Sequence, residues 1–211
     1  MRRSVFLLLL LCSALRAAPL PAAGPVMEGE PDATWAALFE RLAAPRPIFS
    51  VFVEQRWFGF RKTPVVLEGE MRMDPGHGLS LHYMKPEERI VVMDVKGVLI
   101  REQRGTRELP SDPRAGGLER ALLPALRFDL KEIRAGFVVH AARDGGDWRI
   151  DLEPKDAAVR RTLGNLVIAG SGMEVTRLEF QRSASQRVVI GIVTTQDPAS
   201  FTPDVLQRFF R

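Results

Sequence analysis

Residues 65–101 have the sequence VVLEGEMRMDPGHGLSLHYMKPEERIVVMDVKGVLIR, which determines the fold more clearly than any other part of the chain. The first segment, Val65–Met73, alternates apolar and charged side chains, and this is the period of a β-strand with one dry face and one wet face. Turn-forming residues interrupt the apolar segments at 74–76, 85–87 and 96–97. Connections this short cannot contain a crossover helix, so the sequence predicts an antiparallel meander.

Patterns outside this meander predict more strands and several helices. The further strands are expected at Phe49–Trp57, Phe137–Ala142, Trp148–Leu152, Asn165–Ala169, Glu174–Arg182 and Arg187–Thr195. Helical spacing and capping residues predict helices at Asp32–Ala44, in two short segments between Leu118 and Ile133, at Asp156–Leu163 and after Pro203. The fold class is therefore α+β, with a curved antiparallel sheet of about ten strands, because sheets of that size twist and curl. Helices that fold back over the concave face would cover its apolar side chains.

The first 23 residues have the composition of a secretory signal peptide. Arg2 and Arg3 precede the apolar segment Val5–Leu11, and small residues follow it. A membrane anchor is the alternative, but this segment is much shorter than the roughly 20 apolar residues that span a bilayer. We therefore expect export, with removal of residues 1–23 by a cut between 17 and 24. Residues 24–211 are expected to form a single domain.

The charge balance argues against one class of partner. The whole chain has a formal net charge of +4, but the loss of Arg2, Arg3 and Arg16 with the signal peptide leaves 27 basic and 26 acidic residues. A nearly neutral domain does not predict binding to nucleic acid. Cys12 is the only cysteine and lies in the signal peptide. The mature domain therefore cannot form a disulfide or a thiolate metal site, and its stability depends on its core.

Several strand and turn segments occur in an order that is known from one protein family. They are Phe49–Gln55, Gly69–Pro75, His82–Tyr83, Val91–Asp94, Lys96–Leu99, Trp148–Lys155 and Met173–Phe180. This series spans nearly the whole mature chain and resembles the periplasmic outer-membrane lipoprotein carriers, the LolA-like proteins. The resemblance implies an incomplete β-barrel capped by helices. Its interior would hold the acyl chains of lipoproteins, or of a related lipid, while they cross the periplasm toward the outer membrane.

The same resemblance sets expectations for partners and location. It implies a periplasmic monomer that receives an acyl-bearing lipoprotein or lipid from an inner-membrane exporter and passes it to an outer-membrane acceptor. The chain departs from the family at the first turn of the meander, where Asp74 precedes Pro75 in place of an arginine that holds the lid closed. Leu79 and Leu81 likewise replace aromatic and arginine residues. These departures favour a divergent member, similar to those found beside polyketide or aryl-polyene lipid genes.

Apolar residues on the predicted concave face form the candidate acyl-binding site. They come from the meander and from the helices inserted in the middle of the chain, and they are Leu67, Met71, Leu79, Leu81, Tyr83, Leu122, Leu126 and Ile133. Methionine side chains are polarizable and adapt to ligands of varied shape. For a typical sheet the default interpretation of these residues is an ordinary core packed by the helices, and the family resemblance is what favours a pocket.

The polar residues do not form a catalytic or metal-binding set. His77 and His82 lie five residues apart across the start of a predicted strand and His140 lies in a separate strand, whereas zinc needs ligands that converge. Ser171 lies in a hairpin turn rather than at the strand-to-helix corner of a nucleophile elbow. We therefore expect no enzymatic activity, no metal and no cofactor. Two functions stay open: a carrier of acyl chains, and a non-catalytic cell-envelope scaffold whose filled core would not respond to lipid.

Overall fold

The computed structural model describes residues 20–110 and 118–211, and within them the chain forms five helices and eleven strands. The helices are α1 Ala33–Ala43, α2 Leu118–Leu126, α3 Leu130–Gly136, α4 Ala157–Leu163 and α5 Pro203–Phe209. The strands are β1 Ile48–Trp57, β2 Val65–Asp74, β3 Gly78–Lys85, β4 Arg89–Asp94, β5 Gly97–Glu102, β6 Gly105–Pro110, β7 Phe137–Asp144, β8 Asp147–Pro154, β9 Asn165–Ser171, β10 Glu174–Ser183 and β11 Gln186–Gln196. The α+β fold class is confirmed.

All strands join one antiparallel sheet in the order β6-β5-β4-β3-β2-β1-β11-β10-β9-β8-β7. The sheet is open, because β6 and β7 lie at the two ends of this order. The count exceeds the expected ten by β6, which carries Thr106, Arg107 and Glu108. They lie on an edge strand of the sheet, which is paired with β5. Charged side chains on an edge strand discourage pairing with another chain.

Side-chain caps determine where four of the helices begin. The carboxylates of Asp32, Asp129 and Asp156 accept backbone N–H groups at the starts of α1, α3 and α4. The Thr202 hydroxyl does the same for α5, which has Pro203 as its first residue. Such caps satisfy N–H groups that have no partner within the helix. The helix positions predicted from the sequence are confirmed.

Shifts in strand register curve the sheet into an incomplete barrel. Two of them occur between Val51 and Phe52 in the pairing of β1 with β11, and between Glu68 and Gly69 in the pairing of β2 with β3. An extra residue on one strand bends that strand and increases its twist. The curvature gives the sheet a concave face that helices can cover.

Helices α1 to α4 pack on the concave face and close the main hydrophobic core. The helical residues buried in this core are Leu38, Phe39, Leu122, Leu123, Ala125, Leu126, Ile133 and Leu163. On the side of the sheet, Phe52 and Trp148 are fully buried. The prediction that helices cover the concave face is confirmed for these four helices.

The terminal helix lies on the opposite, convex face, contrary to the expectation that the helices cover the concave one. Phe209 and Phe210 pack there against Val92 of β4 and Leu99 of β5 in a second core. Strands β4 and β5 carry apolar side chains on both faces. The helices on the concave face bury one set, and α5 buries the other. Arg101 fastens the end of the chain by donating to the backbone oxygens of Arg208 at 2.9 Å and Phe210 at 2.7 Å.

The segment that precedes α1 extends the sheet beyond edge strand β7. The Met27 N–H donates to the Val139 oxygen at 2.7 Å, and the Ala141 N–H donates to the Pro25 oxygen at 3.2 Å. Residues 1–19 of the predicted signal peptide lie outside the described residues, so its removal stays a prediction. No helix in the described part of the chain is both long and apolar enough to cross a membrane.

Replacing Gly69 by alanine should destabilise the fold by about 1–3 kcal/mol through overpacking. A Cβ at this position would lie 2.7 Å from Cζ of Phe52 and 2.6 Å from the backbone oxygen of His82. Gly136→Ala is the matched control, because no described atom outside its chain neighbours and its own helix backbone lies within 4 Å of its Cβ position. Urea unfolding of both variants measures the difference. Equal stability of the two variants would mean that Phe52 does not pack over Gly69.

Candidate functional site

Alternate residues of the central strands define the inner surface of the barrel. Phe52 of β1 is paired with Gly69 of β2 and with Ile192 of β11, so these three residues face the same side. The same alternation continues through Tyr83 of β3, which is paired with Gly69. The side chains that face the helices are therefore fixed by the register between strands.

The structure places all eight predicted site residues on this inner surface or in the helices that cover it. Six are buried in the main core, namely Leu67, Leu79, Tyr83, Leu122, Leu126 and Ile133. Met71 and Leu81 are partly buried and pack against that core. This placement agrees both with a role in a cavity and with a role in a filled core. A residue that borders empty space can contact a ligand, whereas a residue that borders none is part of the core.

One cavity of about 230 Å³ lies at the end of the barrel beside α1. We call it the methionine cavity, because Met71, Met73 and Met173 lie in its wall. Leu79 and Leu126 border it as well, so three of the eight predicted residues line this space. Its rim carries Arg41, Arg46 and Asp197, which form ion pairs at 3.1 and 3.0 Å.

A second cavity of about 310 Å³ opens at the other end of the barrel. We call it the mouth cavity. Its wall contains Leu122 of α2 and Leu163 of α4, together with residues of β1, β10 and β11. The remaining lining residues are Arg56, Trp57, Phe58, Thr162, Phe180, Arg182, Gln186, Arg187 and Val188. Leu122 is the predicted site residue that this cavity contains.

The other predicted residues do not border these two cavities. Leu81, Tyr83 and Ile133 pack within or against the main core. Leu67 touches a polar groove at the rim, between Arg89 and Glu102. Their assignment to an acyl site therefore stays a prediction.

A buried polar cluster inside the barrel was not predicted from the sequence. Glu54 is only 2% exposed although it lies on the inner face of β1. The Tyr83 hydroxyl donates to Glu54 Oε2 at 2.8 Å, and the Arg56 guanidinium donates to the other carboxylate oxygen. Two cations also lie over the Tyr83 ring, with Arg56 at 5.6 Å and Arg89 at 4.9 Å from its centre.

The electrostatics of this cluster keep the Tyr83 hydroxyl and the Arg56 guanidinium protonated. Burial raises the pKa of the Tyr83 hydroxyl, and the negative charge of Glu54 raises it further. The hydroxyl therefore stays protonated and able to donate. Burial lowers the pKa of Arg56, but its hydrogen bond and charge interaction with Glu54 outweigh this effect, so the pKa is raised overall. The carboxylate thus compensates a cation inside an otherwise apolar surface.

Asp74 has a local role in the turn between β2 and β3. Its Oδ1 atom accepts the backbone N–H groups of Gly76 at 2.9 Å and His77 at 3.1 Å, and it contacts His77 Nδ1 at 2.7 Å. An aspartate that bonds its own turn stabilises the sharp reversal of the chain. In this chain the residue before the proline therefore holds the turn.

The described residues show no constellation that would support metal chemistry. Across residues 20–110 and 118–211, no group of three or more His, Asp or Glu side chains converges as metal ligands. His77 and His82 both lie near the terminal helix, with ring centres 5.7 Å from Phe210 and 5.2 Å from Phe209. They therefore share the convex side, and strand alternation does not apply to His77, because it precedes β3.

Three solved structures to which this chain is similar share little sequence with it. A LolA superfamily protein from Nitrosomonas europaea is 7% identical, with a TM-score of 0.47 over 82% of this chain and 96% of the other. A DUF1329 family protein from Desulfovibrio piger is 9% identical, with a TM-score of 0.46 over 83% and 97%. A MucA/MucB complex from Pseudomonas aeruginosa includes a chain that is 15% identical, with a TM-score of 0.44 over 82% and 60%.

The family is established by the sequence itself. No curated protein matches the chain. A family model described as outer membrane lipoprotein carrier protein LolA-like matches residues 29–210, which is nearly the whole described domain. The matched region contains the open sheet, the covering helices and both cavities. The chain belongs to this LolA-like family of outer membrane lipoprotein carrier proteins.

Proposed function

We propose that this protein is a periplasmic carrier that binds the acyl chains of a lipoprotein or a related lipid inside its open barrel. The observation that carries the proposal is the apolar concave face, which four helices cover and which still leaves the methionine and mouth cavities. Burial of apolar surface is sufficient for affinity, since each buried methylene contributes about 0.8 kcal/mol. Catalysis has no part in this function.

A cargo too long for these cavities needs movement of α2. In this helix Leu122 borders the mouth cavity and Leu126 borders the methionine cavity. Pro124 lies inside α2, and Phe128, which follows the helix, has a positive φ of 53°. Proline weakens a helix, and a positive φ strains a bulky residue. The backbone of α2 and of the residues after it can therefore bend and let the helix move when an acyl chain enters.

A scaffold with a filled core is the competing function. Its support is the dense packing of Leu38, Phe39 and Leu123 against the sheet, which fills much of the concave face. The two functions differ in one measurable property, because a carrier binds lipid and a scaffold does not.

A carrier that crosses the periplasm needs one partner that delivers the cargo and another that accepts it. The predicted signal peptide supports export, and family membership supports a position between an inner-membrane exporter and an outer-membrane acceptor. We propose that the carrier acts as a monomer with either lipoprotein or free lipid as cargo.

Native mass spectrometry of the protein purified without detergent tests this function directly. A carrier should retain a bound acyl lipid or lipopeptide, and it should take up a fluorescent fatty acid when it is empty. A mass equal to that of the polypeptide alone, combined with no uptake of the fatty acid, would favour the scaffold.

Replacing Met71 by tryptophan should weaken binding of the fluorescent fatty acid at least about tenfold, which corresponds to 1.4 kcal/mol. The larger side chain would occupy the methionine cavity, whose wall includes Met71. The control is Met84→Trp, because Met84 is 41% exposed and does not line that cavity. Both variants should unfold at similar temperatures. Unchanged affinity in a folded Met71→Trp protein would move the acyl site out of this cavity.

A further inference from the structure

The loop between β1 and β2, residues 58–64, exposes an aromatic side chain at the mouth of the barrel. Phe60 is 84% exposed and stacks on Phe58 with ring centres 5.5 Å apart. This stacking holds Phe60 outward, although a phenyl ring gains free energy when it leaves water. An aromatic ring kept at a loop tip indicates a surface that contacts an apolar partner.

Exposed cations occur in this loop and in the segments next to the mouth cavity. Arg61 and Lys62 follow Phe60 in the loop, and Arg182 lies at the end of β10. The turn between β10 and β11 touches the loop, since Ser185 Oγ lies 3.1 Å from the Cβ position of Gly59. Arg161 at the end of α4 is exposed as well.

The two loop regions also lack acidic residues. No Asp or Glu occurs between Glu54 and Glu68, or between Glu179 and Asp197. The surface formed by residues 58–64 and 182–187 therefore combines net positive charge with a protruding ring. We call this surface the basic aromatic tip.

The mouth cavity opens beside the basic aromatic tip. Phe58, Arg182 and Arg187 belong to both the tip and the cavity wall. Arg187 also packs over the Trp57 ring at 5.0 Å. Whatever binds the tip is therefore positioned at an entrance to the barrel interior.

We propose that the basic aromatic tip docks on an anionic lipid bilayer and so places the mouth cavity at the membrane surface. Basic side chains near an anionic bilayer each contribute roughly fivefold in affinity, and aromatic rings insert at the interface. The charge of the tip complements such a surface, and Phe60 supplies the inserting group. This inference extends the carrier function, but docking can be measured without any cargo in the barrel, so the two proposals can fail separately.

The chain offers a matched pair of double variants. Phe60→Ser with Lys62→Gln removes one exposed ring and one lysine from the tip. Val95→Ser with Lys96→Gln removes one exposed apolar side chain and one lysine from the turn between β4 and β5, at the opposite end of the barrel. Val95 is 82% exposed, so the two pairs start from similar exposure. Thermal unfolding should be unchanged in both variants, because the replaced side chains are at the surface.

The test is flotation of the purified protein with vesicles of phosphatidylglycerol and phosphatidylcholine, and with vesicles of phosphatidylcholine alone. The native protein should float with the anionic vesicles, less so at high salt, and should bind neutral vesicles weakly. The Phe60/Lys62 variant should bind at least about thirtyfold more weakly, and the Val95/Lys96 variant should bind like the native protein. Failure to bind anionic vesicles, equal binding by both variants, or preference for nucleic acid or an acidic protein would overturn the proposal.

Discussion

Replacement of Glu54 by leucine should lower the free energy of unfolding by about 2–3 kcal/mol, because the buried Tyr83 hydroxyl and the Arg56 guanidinium lose their common acceptor. Glu54 is 2% exposed and accepts from both Arg56 and Tyr83. Leucine would leave the partly exposed Arg56 guanidinium and the buried Tyr83 hydroxyl without their acceptor. Urea unfolding followed by tryptophan fluorescence measures the loss.

Two further variants separate charge from packing in this cluster. Glu54→Gln keeps an acceptor for the Tyr83 hydroxyl and removes only the charge, so it should lose about 1–2 kcal/mol. The triple variant Glu54→Leu, Arg56→Leu, Tyr83→Phe removes all partners together and should recover most of the stability, because buried ion pairs are often replaceable by apolar groups. If the single leucine variant were as stable as the native protein, the carboxylate would have to be solvated rather than buried.

The cluster shows why local sequence patterns could not reveal this part of the interior. In β1 the more apolar residues Val51 and Val53 share one face, and Phe52 and Glu54 share the other. Hydrophobicity alone gives no reason to place Glu54 inside. Its position follows from pairing with Leu67 of β2 and Ile190 of β11, which are distant in sequence.

The strands and helices were more predictable, because their signals are local. Alternation over Val65–Met73 identified β2 and its inner face, and three predicted residues, Met71, Leu79 and Leu126, do line a cavity. The polar strand β6 lacks such alternation, since an edge strand is partly solvated on both faces. The face that each helix covers depends on tertiary packing, and this is why the sequence did not indicate that α5 covers the convex face.

Replacement of Phe210 by alanine should cost about 3–5 kcal/mol, which is the usual loss for a fully buried phenylalanine. Phe210 is 1% exposed on the convex face, and its ring lies 5.9 Å from that of Phe201 and 5.7 Å from His77. A cavity at this place would weaken the contact of the chain terminus with Val92 and Leu99. For a domain of this size the melting temperature should fall by roughly 10 °C.

The matched control for Phe210→Ala is Phe60→Ala, which removes the same type of side chain from the surface. Phe60→Ala should change stability by less than about 0.5 kcal/mol, because Phe60 is 84% exposed. The contrast tests whether the terminal segment is an integral part of the fold. Binding of the fluorescent fatty acid by folded Phe210→Ala should be nearly unchanged, since the second core lies on the face opposite to the cavities. Loss of binding without loss of stability would instead couple the convex face to the acyl site.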